Sequence, residues 1–187
     1  YLKKRMKSCS KYKPTKHDYI FLNKNGIEKF IYWKLTTKKF RKWSIDDEQI
    51  KIETPEKLNG GKFDLSNSPD LLPPLAILAL KSSAPIEIVN VKHARLKETD
   101  RIAIIARELV KLGVNIQEKD DGLILKSSEN LKGAELNSEN DHRLFMSFCI
   151  AGMYIGNCTV SDPESANISF PNFIEEMNRL GGKIRVN

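Results

Sequence analysis

Two stretches decide the fold: DDEQIKIETPEKLNG, Asp46 to Gly60, and KDDGLILKSSENLKG, Lys119 to Gly133. They align at an offset of 73 residues, placing Asp47 with Asp120, Ile50 with Leu123, Ile52 with Leu125, Leu58 with Leu131 and Gly60 with Gly133. Each opens on a polar turn and runs into a short strand whose apolar residues stand two apart, the period of a half-buried strand. Each passes through a polar link into a second extended stretch, KFDLS (62–66) or AELNS (134–138). Each then reaches an Asp that opens an apolar helix, Asp70 before LLPPLAILAL and Asp141 before HRLFMSFCIAGM.

Working outward, the repetition continues. PIEIVNV (85–91) and NCTVSD (157–162) read as strands. An amphipathic helix follows each. TDRIAIIARELVKLG lines up Ile102, Ile105, Leu109 and Leu112; FPNFIEEMNRLGG lines up Phe170, Phe173, Ile174, Met177 and Leu180. Both end at Leu-Gly, a helix stop with Gly in the left-handed conformation. Short strands, VNIQE and KIRVN, are expected after them. Pro73 and Pro74 suit the first turn of a helix capped by Asp70 or Ser68, where a missing N–H is not needed. The fold class is therefore α/β (α+β): about two copies of a unit of roughly 70 residues, strand–helix–strand–helix–strand–strand in cyclic order.

Residues 1–45 do not match this grammar. Residues 1–44 carry fourteen Lys and Arg against Asp18 and Glu28, a net +12, together with both Trp residues. The remainder carries seventeen basic and 22 acidic residues, a net −5. The basic character thus belongs to the first quarter, and a nucleic-acid partner, if any, would bind there. The organisation expected is a poorly matching, basic first unit over 1–45 and a repeat domain over 46–187. No run approaches the ~20 apolar residues of a membrane span, and nothing resembles a signal peptide. Cys9, Cys149 and Cys158 make neither a disulfide framework nor a zinc pattern. A reduced compartment, the cytoplasm, is expected, and Cys149, inside an apolar helix, reads as core.

Three clusters could carry chemistry. HARLKETDR (93–101) follows a strand and enters a helix N-terminus, where free N–H groups and the helix dipole favour an anion. Arg95, Lys97 and Arg101 add cations beside Glu98 and Asp100. The same residues would also suit a solvated helix start with Thr99 or Asp100 as N-cap. NDHR (140–143) and NSPD (67–70) open two other helices, and each by itself is also plain capping chemistry. Together they offer several cations for a polyanionic substrate, with carboxylates able to handle protons. No phosphate-binding loop, dinucleotide fingerprint, serine-nucleophile motif or metal-ligand spacing occurs.

LKETDRIAIIARELVKLGV, NSPDLLPPLAILAL, NDHRLFMSFCIAG and the DPES…SFPNF region resemble the EPSP synthase (5-enolpyruvylshikimate-3-phosphate synthase) family, in its C-terminal domain. The resemblance runs from about residue 46 to the end, roughly three-quarters of the chain. It implies the enolpyruvyl transferase fold, two domains each built of repeated βαβαββ units. It implies transfer of the enolpyruvyl group of phosphoenolpyruvate to the 5-hydroxyl of shikimate 3-phosphate, with release of phosphate and no cofactor. By resemblance, Asp70 takes the proton from that hydroxyl, and Lys97 lies beside the shikimate phosphate and the reacting centre. Arg101 and Arg143 would grip the phosphoenolpyruvate phosphate and carboxylate, groups that suit a planar fork. Glu98 would lie near the methylene carbon that gains and loses a proton, His142 would support the phosphoenolpyruvate pocket, and His93 occupies a shikimate-side position. Ile168 stands where many members have a Lys for phosphoenolpyruvate. The family's N-terminal domain, which carries the rest of the site, does not match anything in the 187 residues. Little turnover by the chain alone is expected, with a separate N-terminal-domain chain as a candidate partner. The alternative reading is a degenerate domain with a nucleic-acid-binding basic segment over 1–44.

Overall fold

The computed structural model describes residues 58–186 and, ahead of them, only the backbone of four short strands. The chain divides into two compact units, Tyr1–Thr36 and Thr37–Asn187. In the first, β1 (Asp18–Ile20) pairs antiparallel with β2 (Tyr32–Lys34); in the second, β3 (Trp43–Ile45) pairs antiparallel with β4 (Ile50–Ile52). The side chains of the basic segment, Cys9, the expected boundary at 45/46 and the link through Lys57 lie outside the described residues.

From Gly61 onward one complete unit runs β5 (Gly61–Asp64), α1 (Leu72–Leu78), β6 (Ile86–Val89), α2 (Arg101–Lys111), β7 (Asn115–Lys119) and β8 (Gly122–Lys126). This is the βαβαββ order read from the sequence. Its sheet has the order β5-β6-β8-β7. β5 and β6 are parallel, with Gly61 opposite Ile86; β8 lies antiparallel to both β6 and β7. The second copy begins with β9 (Glu135–Leu136), α3 (His142–Ile155), β10 (Thr159–Val160) and α4 (Phe173–Arg179). Here too the first pair is parallel, Glu135 opposite Thr159.

The two copies share details that follow from their aligned residues. Gly60 and Gly133 each precede the first strand where the backbone passes close to another segment. A Cβ on Gly60 would stand 2.1 Å from the Pro85 carbonyl oxygen, and one on Gly133 2.1 Å from that of Asn157. Gly113 and Gly181 end α2 and α4 at φ +91° and +97°. In each, the following N–H reaches back five residues: Val114 to Leu109 O, Gly182 to Met177 O. That is the Schellman closure, which needs a residue without a Cβ penalty.

The periodicity places the core correctly in the first copy. Ile102, Ile105 and Leu109 of α2, with Leu112 just past its end, are at most 1% exposed, and Leu123 and Leu125 of β8 are fully buried. Helix α3 buries Leu144, Phe145, Met146, Phe148, Cys149 and Ala151. Phe145 and Phe173 meet edge to face at 6.2 Å between ring centres, within a cluster completed by Met146, Cys149 and Ala166.

Three expectations need correction. Residues 183–186 form no strand. In the first copy β7 finds its ladder on β8, and these residues meet no such partner among the described ones; the Asn178 side chain instead bonds the N–H and the C=O of Ile184. Leu180 is 74% exposed although its counterpart Leu112 is buried; among the described residues no strand pair like β7–β8 follows it. Neither Ser68 nor Asp70 caps α1 by its side chain. A 3₁₀ turn over Pro69–Leu71 precedes the helix, while Pro73 does stand in its first turn.

Candidate functional site

Helices α2 and α3 both start on an Asp. Asp100 accepts the Ala103 N–H at 3.0 Å, and Asp141 accepts those of Arg143 and Leu144 at 2.9 and 3.3 Å. Each N-terminus is therefore closed by its own carboxylate. Of the two readings of the α2 start, the Asp100 N-cap is the one observed in place of open N–H groups, and the polar character of the site comes from side chains. Arg95 is also withdrawn from it. A 3₁₀ turn over Lys92–Leu96 separates β6 from α2. From that turn Arg95 reaches Asp100 at 2.8 Å, Glu118 at 2.8 Å and the carbonyls of Lys119 and Asp120, pinning the turn to the β7–β8 hairpin.

The other expected residues converge. Arg101 is fully buried and ringed by three carboxylates: Asp141 at 2.7 Å, Asp70 at 3.0 Å and Glu98 at 2.6 Å. Asp70 also takes Arg143 at 2.8 Å and lies 3.8 Å from Lys97. His142 stands with Nδ1 3.9 Å from Glu98 Oε1, buried and without a hydrogen-bond partner there. Three carboxylates face three basic side chains, Lys97, Arg101 and Arg143. The side chains of Asp70 and Glu98 are nearly half exposed (44% and 47%), whereas Arg101 and Asp141 are closed off from solvent. His93 is exposed on the 3₁₀ turn and joins none of these ion pairs; Ile168 is 70% exposed.

Two buried carboxylates, one in this wiring and one beside it, were not singled out as site residues by the motifs. Asp141 reads as an N-cap only, yet it also holds Arg101. Burial pushes its carboxyl up, but the Arg101 hydrogen bond and charge and the N–H groups of Leu144 and Arg143 outweigh that and hold it below its usual range. Glu108, on the buried side of α2, receives Lys111 at 2.6 Å, Arg107 at 2.7 Å and the Asn137 N–H at 2.9 Å, tying the helix to the segment after β9. Its signal is faint: one Glu among apolar residues of an amphipathic face. Cys149 is core, as its helix implied, and burial pushes its thiol up to about 12. Among the described residues no group of three or more His, Cys, Asp and Glu is placed to hold a metal, and no helix is long and apolar enough to cross a membrane.

His142 carries a pH prediction. Burial, then the Arg143 charge, lowers its pKa below the ordinary value, against the opposing pull of Asp141 and Glu98. The unfolded chain then binds a proton that the folded chain resists once pH drops below ~6.5. Stability is unaffected by this group above that pH and falls below it. Urea midpoints measured between pH 8 and 5 should decline on the acid side, and His142→Gln should flatten that decline. An unchanged slope in the variant would remove His142 as its source.

Comparison with known proteins bears on this site. The EPSP synthase (3-phosphoshikimate 1-carboxyvinyltransferase) family model matches residues 22–177. The match begins earlier than residue 46, where the motifs start. A 3-phosphoshikimate 1-carboxyvinyltransferase of Nitrosopumilus maritimus is 74% identical over 142 residues, 76% of this chain and 34% of the relative. One from Methanocaldococcus jannaschii is 43% identical over 143 residues, covering 76% and 33%. A solved EPSP synthase of Acinetobacter baumannii superposes with a TM-score of 0.69 at 30% identity, over 74% of this chain and 34% of that one. The chain spans about a third of the length of these relatives. With a match over most of its length, the same architecture as a solved member and the expected motifs in order, the chain belongs to the EPSP synthase family.

Proposed function

We propose that this chain is the C-terminal domain of an EPSP synthase and contributes its half of a site that joins phosphoenolpyruvate to shikimate 3-phosphate. The observation that carries the reading is the convergence of Asp70, Glu98, Lys97, Arg101, Arg143 and His142, from three separate segments, on one cluster. Both substrates are polyanions, and the three cations suit them. In the reaction so assigned, Asp70 takes the proton of the shikimate 5-hydroxyl as its oxygen bonds to C2 of phosphoenolpyruvate. A proton adds to the methylene carbon on the Glu98 side. Loss of a proton from that carbon then expels phosphate and restores the double bond. Arg101 and Arg143 hold the phosphate and carboxylate of phosphoenolpyruvate, with His142 supporting them; Lys97 and the more distant His93 face shikimate 3-phosphate. An N-terminal domain, on the same or a separate chain, supplies the remaining contacts, and the cytoplasm is the compartment.

The test is phosphate release with both substrates. The 187 residues alone should turn over little, since each charged contact missing from a bound ligand costs ~1.5–3 kcal/mol. Adding an N-terminal domain should restore activity, and Asp70→Asn should remove it again. Full activity of the chain alone would refute the half-site arrangement, and none with the added domain would refute the assignment.

A further inference from the structure

Asp141 is one of the most heavily hydrogen-bonded carboxylates in the described part of the molecule. Oδ1 accepts the Arg143 and Leu144 N–H groups and Arg101 Nη2, the last at 3.3 Å. Oδ2 accepts Arg101 Nε at 2.7 Å and the Thr99 hydroxyl at 3.2 Å. A helix cap needs one oxygen, as Asn and Ser show by capping about as well as Asp. The second oxygen leaves the helix altogether and fastens the start of α2, so one carboxylate ties together the segments that bear Arg101 and Arg143.

The partners of Arg101 differ in freedom. Asp141 and Arg101 are both closed to solvent, whereas Asp70 and Glu98 are nearly half exposed and can swing aside. The Nε side of the guanidinium is therefore committed to a fixed acceptor. Its Nη1 and the outer N–H of Nη2 carry the exchangeable ones.

We propose, building on the function assigned above, that Asp141 is a positioning residue: it clamps the Nε edge of Arg101 so that the Nη edge is presented to the anionic group of phosphoenolpyruvate, which takes the places of Asp70 and Glu98. Asp141 does not touch the substrate and acts through Arg101.

Two measurements on the 187-residue chain test this. The first is NMR of the arginine Nε–H groups. In the parent chain the Arg101 Nε–H should be protected from solvent exchange. Asp141→Asn keeps an acceptor for the α3 cap but turns a donor toward Arg101; Asp141→Ser keeps the cap and removes the second oxygen. Either should speed that exchange about tenfold or more, while the α3 amides from Leu144 onward remain protected. An unprotected Nε–H in the parent overturns the clamp without any variant, and continued protection in a folded variant overturns it as well.

The second is calorimetric titration of phosphoenolpyruvate with shikimate 3-phosphate and an added N-terminal domain present. Asp141→Asn should weaken binding about tenfold to a hundredfold, yet cost less than about twofold in an Arg101→Lys background, because the two act as one. Equal losses in both backgrounds would make Asp141 a cap and nothing more. A chain that binds no phosphoenolpyruvate even with the added domain counts against the assigned function, and the exchange experiment still decides the clamp.

Discussion

Arg101→Leu is expected to be the most damaging single substitution at the site, removing about 3–5 kcal/mol of stability and, with it, the phosphoenolpyruvate binding proposed above. The physical reason lies in what remains. Asp141 keeps its charge in a place closed to solvent, with only two N–H groups and a hydroxyl to hold it. Taking one partner from a buried pair leaves the other uncompensated, which costs far more than the pair contributes when intact. Against a typical stability of ~5–15 kcal/mol, such a loss brings many domains near their threshold. The double substitution Arg101→Leu with Asp141→Asn discharges the stranded carboxylate while leaving an amide oxygen to cap α3, so it should recover most of the stability and none of the binding. Urea melts followed by circular dichroism, paired with calorimetric titration, check both halves. A single variant within ~1 kcal/mol of the parent would mean that Asp141 finds solvent or another cation.

Gly133→Ala, and equally Gly60→Ala, is expected to cost more than ~3 kcal/mol, beyond the usual overpacking range, because the obstacle is main chain. The new methyl group on residue 133 would meet the carbonyl oxygens of Asn157 and Gly156, 2.1 and 2.6 Å away. On residue 60 it would meet those of Pro85 and Ala84, at 2.1 and 2.4 Å. No flexible side chain can yield, so β9 and β10, or β5 and β6, would have to separate at the start of their parallel ladders. Gly152→Ala is the control. It stands inside α3, meets only the Cys158 side chain at 3.0 Å, and gains the helical preference of Ala, so it should stay within ~1 kcal/mol of the parent. Denaturation midpoints of the three variants give the answer. A mild Gly133→Ala alongside a damaging Gly152→Ala would contradict the close crossing.

The repeat is legible in the sequence because it is written in spacing: paired glycines, apolar residues two apart, and Leu-Gly after the second helix of each copy. Those features are local, and local geometry needs no knowledge of partners. The identity of the clustered residues is legible for a similar reason, since their motifs are contiguous. What spacing cannot convey is wiring. Arg95 and Arg101 look equivalent in HARLKETDR, yet one is turned to the hairpin and the other is enclosed by carboxylates from three segments. The second oxygen of Asp141 is silent in the same way, because a cap and a cap with a clamp have one sequence. The missing strand at 183–186 and the exposed Leu180 share a cause. Both depend on a neighbouring strand, so the repeat pattern alone places them wrongly.

Arg101 belongs to the first copy of the repeat and Asp141 to the second, and the contact between them is a closed, charged one. Neither copy can open while the other stays folded without breaking that pair and leaving the remaining ion without its fixed partner. The two halves of the duplication are thereby bound to a shared fate. Heat or denaturant should dissolve them in a single step rather than in two.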